Sequence, residues 1–202
     1  MKEAQVNERK PRADSVRNQE RLLSAAKGAF RELGPGASLE EIARRAEVGI
    51  GTLYRHFPTR DALVEAVYRR EVEQLGGAAD RMLAEHPPAE ALRQWLLVFI
   101  DYLATKKVMA GALNALVAGP SALYASSGNV IRAAIGKLLE RGKAAGEVRS
   151  EIETPDIMQA LAGLAYNADS PGWRTSAERL VDIVVAGIKP EATGGRRPGA
   201  RP

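Results

Sequence analysis

Apolar residues recur along this chain at intervals of three, four and seven positions, and nowhere do they alternate with the period of two that a strand needs. The pattern predicts an all-α protein. After a polar, aperiodic arm over residues 1–14, Leu22, Leu23, Ala26, Phe30 and Leu33 mark one face of a helix that Gly34-Pro35-Gly36 ends. Ser38 opens a second helix, with Glu41 three residues on as in a capping box, and Glu47-Val48-Gly49 interrupts it after about two turns. A third short helix, Ile50 to His56, is stopped by Phe57-Pro58, and Thr59 N-caps a fourth that reaches about Leu75.

Beyond Gly76-Gly77 the helices become longer and more apolar. Leu92, Trp95, Leu96, Phe99, Ile100 and Leu103 form one stripe behind the break at Pro87-Pro88, and Met109 to Val117 forms a shorter segment closed by Gly119-Pro120. Ile131, Ile135, Leu138 and Leu139 mark the next helix, which fades between Gly142 and Gly146. Thr154-Pro155 starts another carrying Ile157, Met158, Leu161 and Leu164, and Asp169 to Gly172 is a turn. Thr175 and Glu178 match a second capping box, opening a last helix that runs through Ile188 to Pro190. The total is about nine helices, with a Gly/Pro/Arg tail at 191–202 expected to be disordered.

Composition narrows the function classes. Hydrophobic residues at 45% and charged residues at 27% describe a globular chain, not a fibrous or disordered one. The longest apolar run, Trp95 to Ile100, falls far short of the roughly 20 residues of a membrane span. No secretory signal pattern begins the chain, so a cytoplasmic location is expected. The absence of cysteine removes disulfides and thiolate chemistry, and His56 and His86 stand too far apart for a metal cluster. No metal or cofactor is therefore expected. Gly49-Ile50-Gly51 begins like a dinucleotide fingerprint, but Tyr54 stands where the third glycine belongs and no strand precedes it. No phosphate loop, nucleophile elbow or His-Glu-x-x-His pair is present, and no residue set nominates a catalytic site.

Charge is unevenly placed. Residues 1–70 carry 14 Lys and Arg against 10 Asp and Glu, whereas residues 71–202 carry 15 of each. The whole formal excess of +4 thus lies in the first third, where a polyanion would be met. Within that third, Leu39 to Phe57 has the form of a helix-turn-helix: two short helices, a tight turn containing glycine, Ile42, Ala46 and Leu53 to close the angle, and small Ala43 at the crossing. Thr52, Tyr54, Arg55 and His56 are left on a helix of a size that enters a major groove. By spacing alone, two short helices that merely pack together remain an equal reading.

The run Ile42-Ala43-Arg44-Arg45-Ala46-Glu47-Val48-Gly49-Ile50-Gly51-Thr52-Leu53-Tyr54-Arg55-His56-Phe57-Pro58-Thr59-Arg60 closely resembles the recognition region of the TetR family of bacterial transcription regulators, and Glu20 to Phe30 resembles that family's first helix. The resemblance covers about residues 17–70. It implies a DNA-binding domain over 15–75, made of a three-helix unit and a linking fourth helix, followed by a helical regulatory and dimerisation domain over 76–190. It implies operator contacts at Gly51, Thr52, Tyr54 and His56, phosphate anchors at Ser38 and Arg60, and further cations at Arg17, Arg44 and Arg45, with Arg12 as a second residue of the arm. Arg55, whose planar fork suits guanine, is the candidate for base readout.

The resemblance also implies a small-molecule effector. Trp95, Phe99, Tyr102, Met109, Leu113, Tyr124 and Met158 are candidates to line its pocket, with Asn114 or Asn167 as polar contact, against the alternative that they are simply core. A homodimer on a palindromic double-stranded DNA operator follows from one motif reading too few base pairs. The last helix is apolar on nearly every side, so it needs cover on more than one face. The predicted interface is Ala160, Gly163, Leu164, Leu180, Ile183, Val184, Gly187 and Ile188. The competing class is a helical small-molecule-binding or enzymatic protein whose first helices serve structure only.

Overall fold

The computed structural model describes the backbone of residues 6–116, 121–166 and 170–190, and the side chains of 13–116, 123–166 and 170–190. The fold is all-helical, with eight helices: α1 (Val6–Leu33), α2 (Leu39–Arg45), α3 (Ile50–His56), α4 (Arg60–Glu85), α5 (Pro88–Asn114), α6 (Ser121–Ala144), α7 (Thr154–Tyr166) and α8 (Trp173–Ile188). Residues 1–5 of the expected arm, the tail 191–202 and the break at Gly119-Pro120 lie outside the described residues.

The helix starts and stops depart from expectation in four places, each with a local cause. α1 begins at Val6, inside the segment read as an arm, because Glu8, Arg9 and Lys10 are competent helix formers that need no buried face. α4 passes straight through Gly76-Gly77. A Cβ at Gly76 would lie 2.8 Å from Val130 Cγ1, so this glycine serves the close approach of α6 rather than a turn. α5 runs unbroken past Leu103 and Met109, which reduces the expected nine helices to eight among the described residues. Its polar interval is accommodated in place: buried Thr105 donates its hydroxyl to the Asp101 carbonyl at 3.1 Å, and Lys106 Nζ lies 4.4 Å from the centre of the Tyr124 ring. Finally, α8 starts at Trp173 behind left-handed Gly172, and Glu178 accepts from Arg174 at 3.1 Å instead of completing a capping box with Thr175.

The chain divides into two compact units, Met1–Gly76 with Asp101–Ile131, and Gly77–Ile100 with Arg132–Pro202. The resemblance implies a DNA-binding part over 15–75 and a regulatory part over 76–190. The first compact unit holds, besides α1 to α3, most of α4, the later half of α5 and the first part of α6.

In the first unit Leu22, Ala26 and Phe30 of α1, Ile42 of α2, Leu53 of α3 and Leu63 of α4 are buried to within 1% of full occlusion. In the second, Trp95 stacks on Phe99 at 5.8 Å among Leu92, Leu96, Ile135 and Leu138. Trp173 donates its indole N–H to the Leu164 carbonyl at 2.6 Å, fastening the start of α8 to α7. α6 ends in a Schellman motif on left-handed Gly146, and Glu147 then accepts the Ala89 N–H at 2.8 Å, capping the first turn of α5.

Gly142, in the last turn of α6, has no room for a side chain: a Cβ there would stand 2.5 Å from Val148 Cγ2. Gly142→Ala is expected to cost about 1–3 kcal/mol through overpacking. In urea unfolding, the double variant with Val148→Ala should be more stable than the sum of the two single effects.

Candidate nucleic-acid interface

The site is built on two helices of seven residues each, too short to persist alone. Ser38 N-caps α2 as expected, its hydroxyl accepting the Glu41 N–H at 3.1 Å. The turn that follows is a Schellman motif: the Val48 N–H donates to the Ala43 carbonyl and the Glu47 N–H to the Arg44 carbonyl, each at 3.0 Å. The left-handed position of that motif, usually glycine, is held by Glu47 with φ 53°. Its carboxylate accepts from Arg21 of α1 at 2.5 Å, which ties the turn to the preceding helix.

Several of the expected DNA-contacting cations are engaged inside the domain. Arg44 grips Glu41 with two bonds of 2.8 Å, while Arg45 bridges Glu41 and Glu32, each at 2.7 Å. The Arg44 bonds first, and then the Arg45 bond, hold the Glu41 carboxyl at about 2, well below the usual carboxylate range. Arg60, expected to anchor phosphate, donates instead to the carbonyls of Pro35 at 2.8 Å and Ala37 at 2.5 Å. Those carbonyls follow the end of α1 and have no helical partners of their own. Arg17 is exposed beside Asp14 at 2.5 Å, and Arg12 lies outside the described side chains.

On α3, buried Leu53 defines the inward direction. Gly51 and Arg55 face away from it with Tyr54 beside them, all exposed; Ile50, also exposed, lies nearer the buried side, and Thr52 and His56 are half-buried on the other flank. Arg55 lies back along the helix, donating to the Gly51 carbonyl at 3.2 Å and to the Thr52 hydroxyl at 3.0 Å. His56 leans on Phe57 with ring centres 6.1 Å apart. Ile50 was not among the expected contacts; its spacing one turn before Tyr54 was the available signal.

The predicted effector-pocket residues divide between the two units. Trp95, Phe99 and half-buried Met158 belong to the second unit, and Tyr102, Met109 and Leu113 are buried in the first. Exposed Asn114 accepts from Tyr124 Oη at 3.3 Å, and Asn167 lies outside the described residues. A cavity of about 90 Å³ in the first unit is lined by Tyr68, Arg69, Val72, Glu73, Leu123, Ser126 and Val130. Beside it runs an ordered chain of hydroxyls: Tyr102 to Tyr68, Tyr68 to Ser127, and Ser127 to the Tyr124 carbonyl, each at 2.9 Å. Burial pushes the Tyr102 phenol up strongly, with its bond to Tyr68 as the next cause.

In the second unit, the expected interface residues separate into two sets. Leu164 and Ile188 are core, because their periodic positions face α7 and α8 inward. Leu180, Ile183, Gly163 and Gly187 face outward, with Ile183 65% exposed, while Ala160 and Val184 lie between the two sets. Tyr166, absent from the expected set, is 87% exposed on the neighbouring helix. A cavity of about 250 Å³ over Trp173 and Ala177 opens beside Leu180.

Two short helices around a capped turn, with an amphipathic second helix, define a helix-turn-helix protein. Residues 22–67 match the family described as bacterial regulatory proteins, tetR family, and residues 87–190 match the C-terminal domain described as transcriptional regulator SbtR-like. A TetR transcriptional regulator of Streptomyces coelicolor superposes with a TM-score of 0.78 at 48% identity, over 86% of this chain and 99% of that one. A TetR regulator of Mycobacterium vanbaalenii gives 0.70 at 32% identity, over 88% and 98%. An HTH-type transcriptional regulator of Staphylococcus aureus is 31% identical over 111 residues, 54% of this chain and 58% of that protein. An HTH-type transcriptional repressor of Mycobacterium tuberculosis is 40% identical over 76 residues, 37% of this chain and 38% of that one. The matches to these two curated relatives therefore span less than two thirds of their lengths. The chain belongs to the TetR family of transcriptional regulators. No helix among the described residues is long and apolar enough to cross a membrane.

The left-handed residue in the turn gives a direct test of how this site is held. Glu47→Gly and Glu47→Ala both lose the Arg21 pair, but only alanine keeps the steric cost of positive φ. Thermal unfolding should find the glycine variant more stable by about 1 kcal/mol.

Proposed function

We propose that this regulator is a ligand-responsive repressor that acts in the cytoplasm, binds a palindromic operator as a homodimer, and leaves it when a small-molecule effector binds. The observation that carries the reading is the outward strip of α3, whose exposed residues are not used by the domain's own packing. Arg55 reads a base edge, exchanging two exposed hydrogen bonds for bidentate contact in the groove. Thr52, Tyr54 and His56 flank it, Gly51 permits close approach of the backbone, and Ser38, Arg17 and Arg44 border the phosphates. Arg45 and Arg60 hold the domain together and act on DNA only through its shape. Repression is favoured by the Mycobacterium tuberculosis relative, whose description names a repressor.

Dimerisation is supported by the outward apolar stripe of α8, Leu180, Ile183 and Gly187, beside Tyr166 and Gly163 of α7. Such a stripe is costly to leave in water, and a twofold axis brings two copies of it together. For the effector, the cavity beside Tyr68 is a further candidate site in the first unit, with apolar walls and polar groups at Arg69, Glu73 and Ser126.

Mobility-shift and footprinting experiments on the intergenic DNA upstream of its own gene, across a salt series, test operator binding. A specific complex should persist where nonspecific phosphate contacts have weakened, and Arg55→Ala should weaken it by about 1–3 kcal/mol and relax one position per half-site. Ile183→Glu should fold normally, since the side chain is exposed in one copy, yet sediment as a monomer and lose operator affinity. A wild type that sediments as a monomer at micromolar concentration would contradict the dimer.

A further inference from the structure

We propose that Ile50 and Tyr54 read thymine methyl groups in the major groove, so that the operator half-site carries two thymines about two base steps apart. The inference rests on operator binding through α3 and adds the chemistry of what is read. Ile50 is 38% and Tyr54 45% exposed, side by side one helical turn apart along one edge of α3, Ile50 nearer the side of buried Leu53 and Tyr54 farther round toward solvent. Neither contributes its exposed surface to the core, and no aromatic or hydrogen-bond partner holds the Tyr54 ring inward among the described residues. Gly51 lies beyond Tyr54, on the outward side of that edge. A Cβ there would meet nothing within 4 Å, and its φ is not left-handed, so neither packing nor backbone geometry in the domain calls for glycine. Glycine inside a helix weakens it relative to alanine, which points to a need outside the domain: close approach of the helix backbone to a surface.

The chemistry of that surface follows from what DNA presents. In the major groove the base edges offer donors, acceptors and a single apolar group, the thymine C5-methyl. An aliphatic and an aromatic side chain cannot answer donors or acceptors with their carbon atoms, but they can cover methyl groups. Four residues of helix advance about 6 Å, and two base steps advance about 6.8 Å, so the two side chains match alternate positions along one strand. The Arg55 guanidinium, drawn to the Gly51 carbonyl and the Thr52 hydroxyl, sits on the far side of Gly51 and leaves the Ile50–Tyr54 edge apolar.

The test replaces each thymine of the footprinted operator in turn by deoxyuridine, which removes the methyl and leaves base pairing intact. Wild-type protein should lose about fourfold affinity per methyl at two positions in each half-site, the fold-change expected from exposing one buried carbon group. With Ile50→Ala, one of those two positions should become indifferent to the replacement while the other stays sensitive. Gly51→Ala should raise the unfolding temperature yet weaken operator binding, a pair of opposite signs that a purely structural glycine cannot produce. If full replacement of thymine by deoxyuridine leaves affinity within about twofold while sequence-specific binding persists, methyl reading is wrong and operator binding through α3 stands. If no sequence-specific binding is found on any fragment, both fall.

Discussion

Everything at the DNA-binding end depends on covering two helices that cannot stand alone. Seven-residue helices fall well below the roughly 12–15 residues at which isolated helices become marginally stable in water. Ile42 and Leu53 are fully buried, and they commit α2 and α3 to the surface prepared by Leu22, Ala26 and Phe30 of α1. Arg60 completes the arrangement from the first residue of α4. By donating to Pro35 and Ala37, it fastens α4 to the loop that ends one residue before Ser38, the cap of α2. The start of α4 is therefore tied to the loop that leads into α2.

Much of this was legible from residue types alone. The stops at Gly34 and Phe57-Pro58, the Ser38 cap and the inward roles of Ile42 and Leu53 are local signals, and each is realised in the structure. What was misread has a common origin. Gly76 looked like a turn because close helix approach and chain reversal favour the same residue, and only the position of Val130 distinguishes them. The interval between Leu103 and Met109 separated two apolar segments because a sequence does not disclose that a carbonyl lies ready for Thr105 and an aromatic face for Lys106. The interface helix divided for another reason: on α8 both faces are apolar, so hydrophobic spacing could not say whether Ile188 or Ile183 points outward.

The basic balance of the first third is also less available than its count implies. Arg21, Lys27, Arg45 and Arg70 each reach a carboxylate on another segment of the first unit, and Arg44 and Arg69 pair within their own helices. Such pairs offset much of the positive charge locally and shorten the reach of its field.

Both tryptophans of the chain, Trp95 and Trp173, lie in the second unit. Trp95 is fully occluded in an apolar setting, and Trp173 is nearly so, with its indole N–H held by a backbone carbonyl. Intrinsic fluorescence excited at wavelengths where tyrosine does not absorb is consequently a local reporter of that unit. An emission shift would record loosening of the α7–α8 region, whereas unfolding confined to α1, α2 and α3 would pass unseen. The native chain thus carries its own optical label for one unit, and a probe for the other must be introduced.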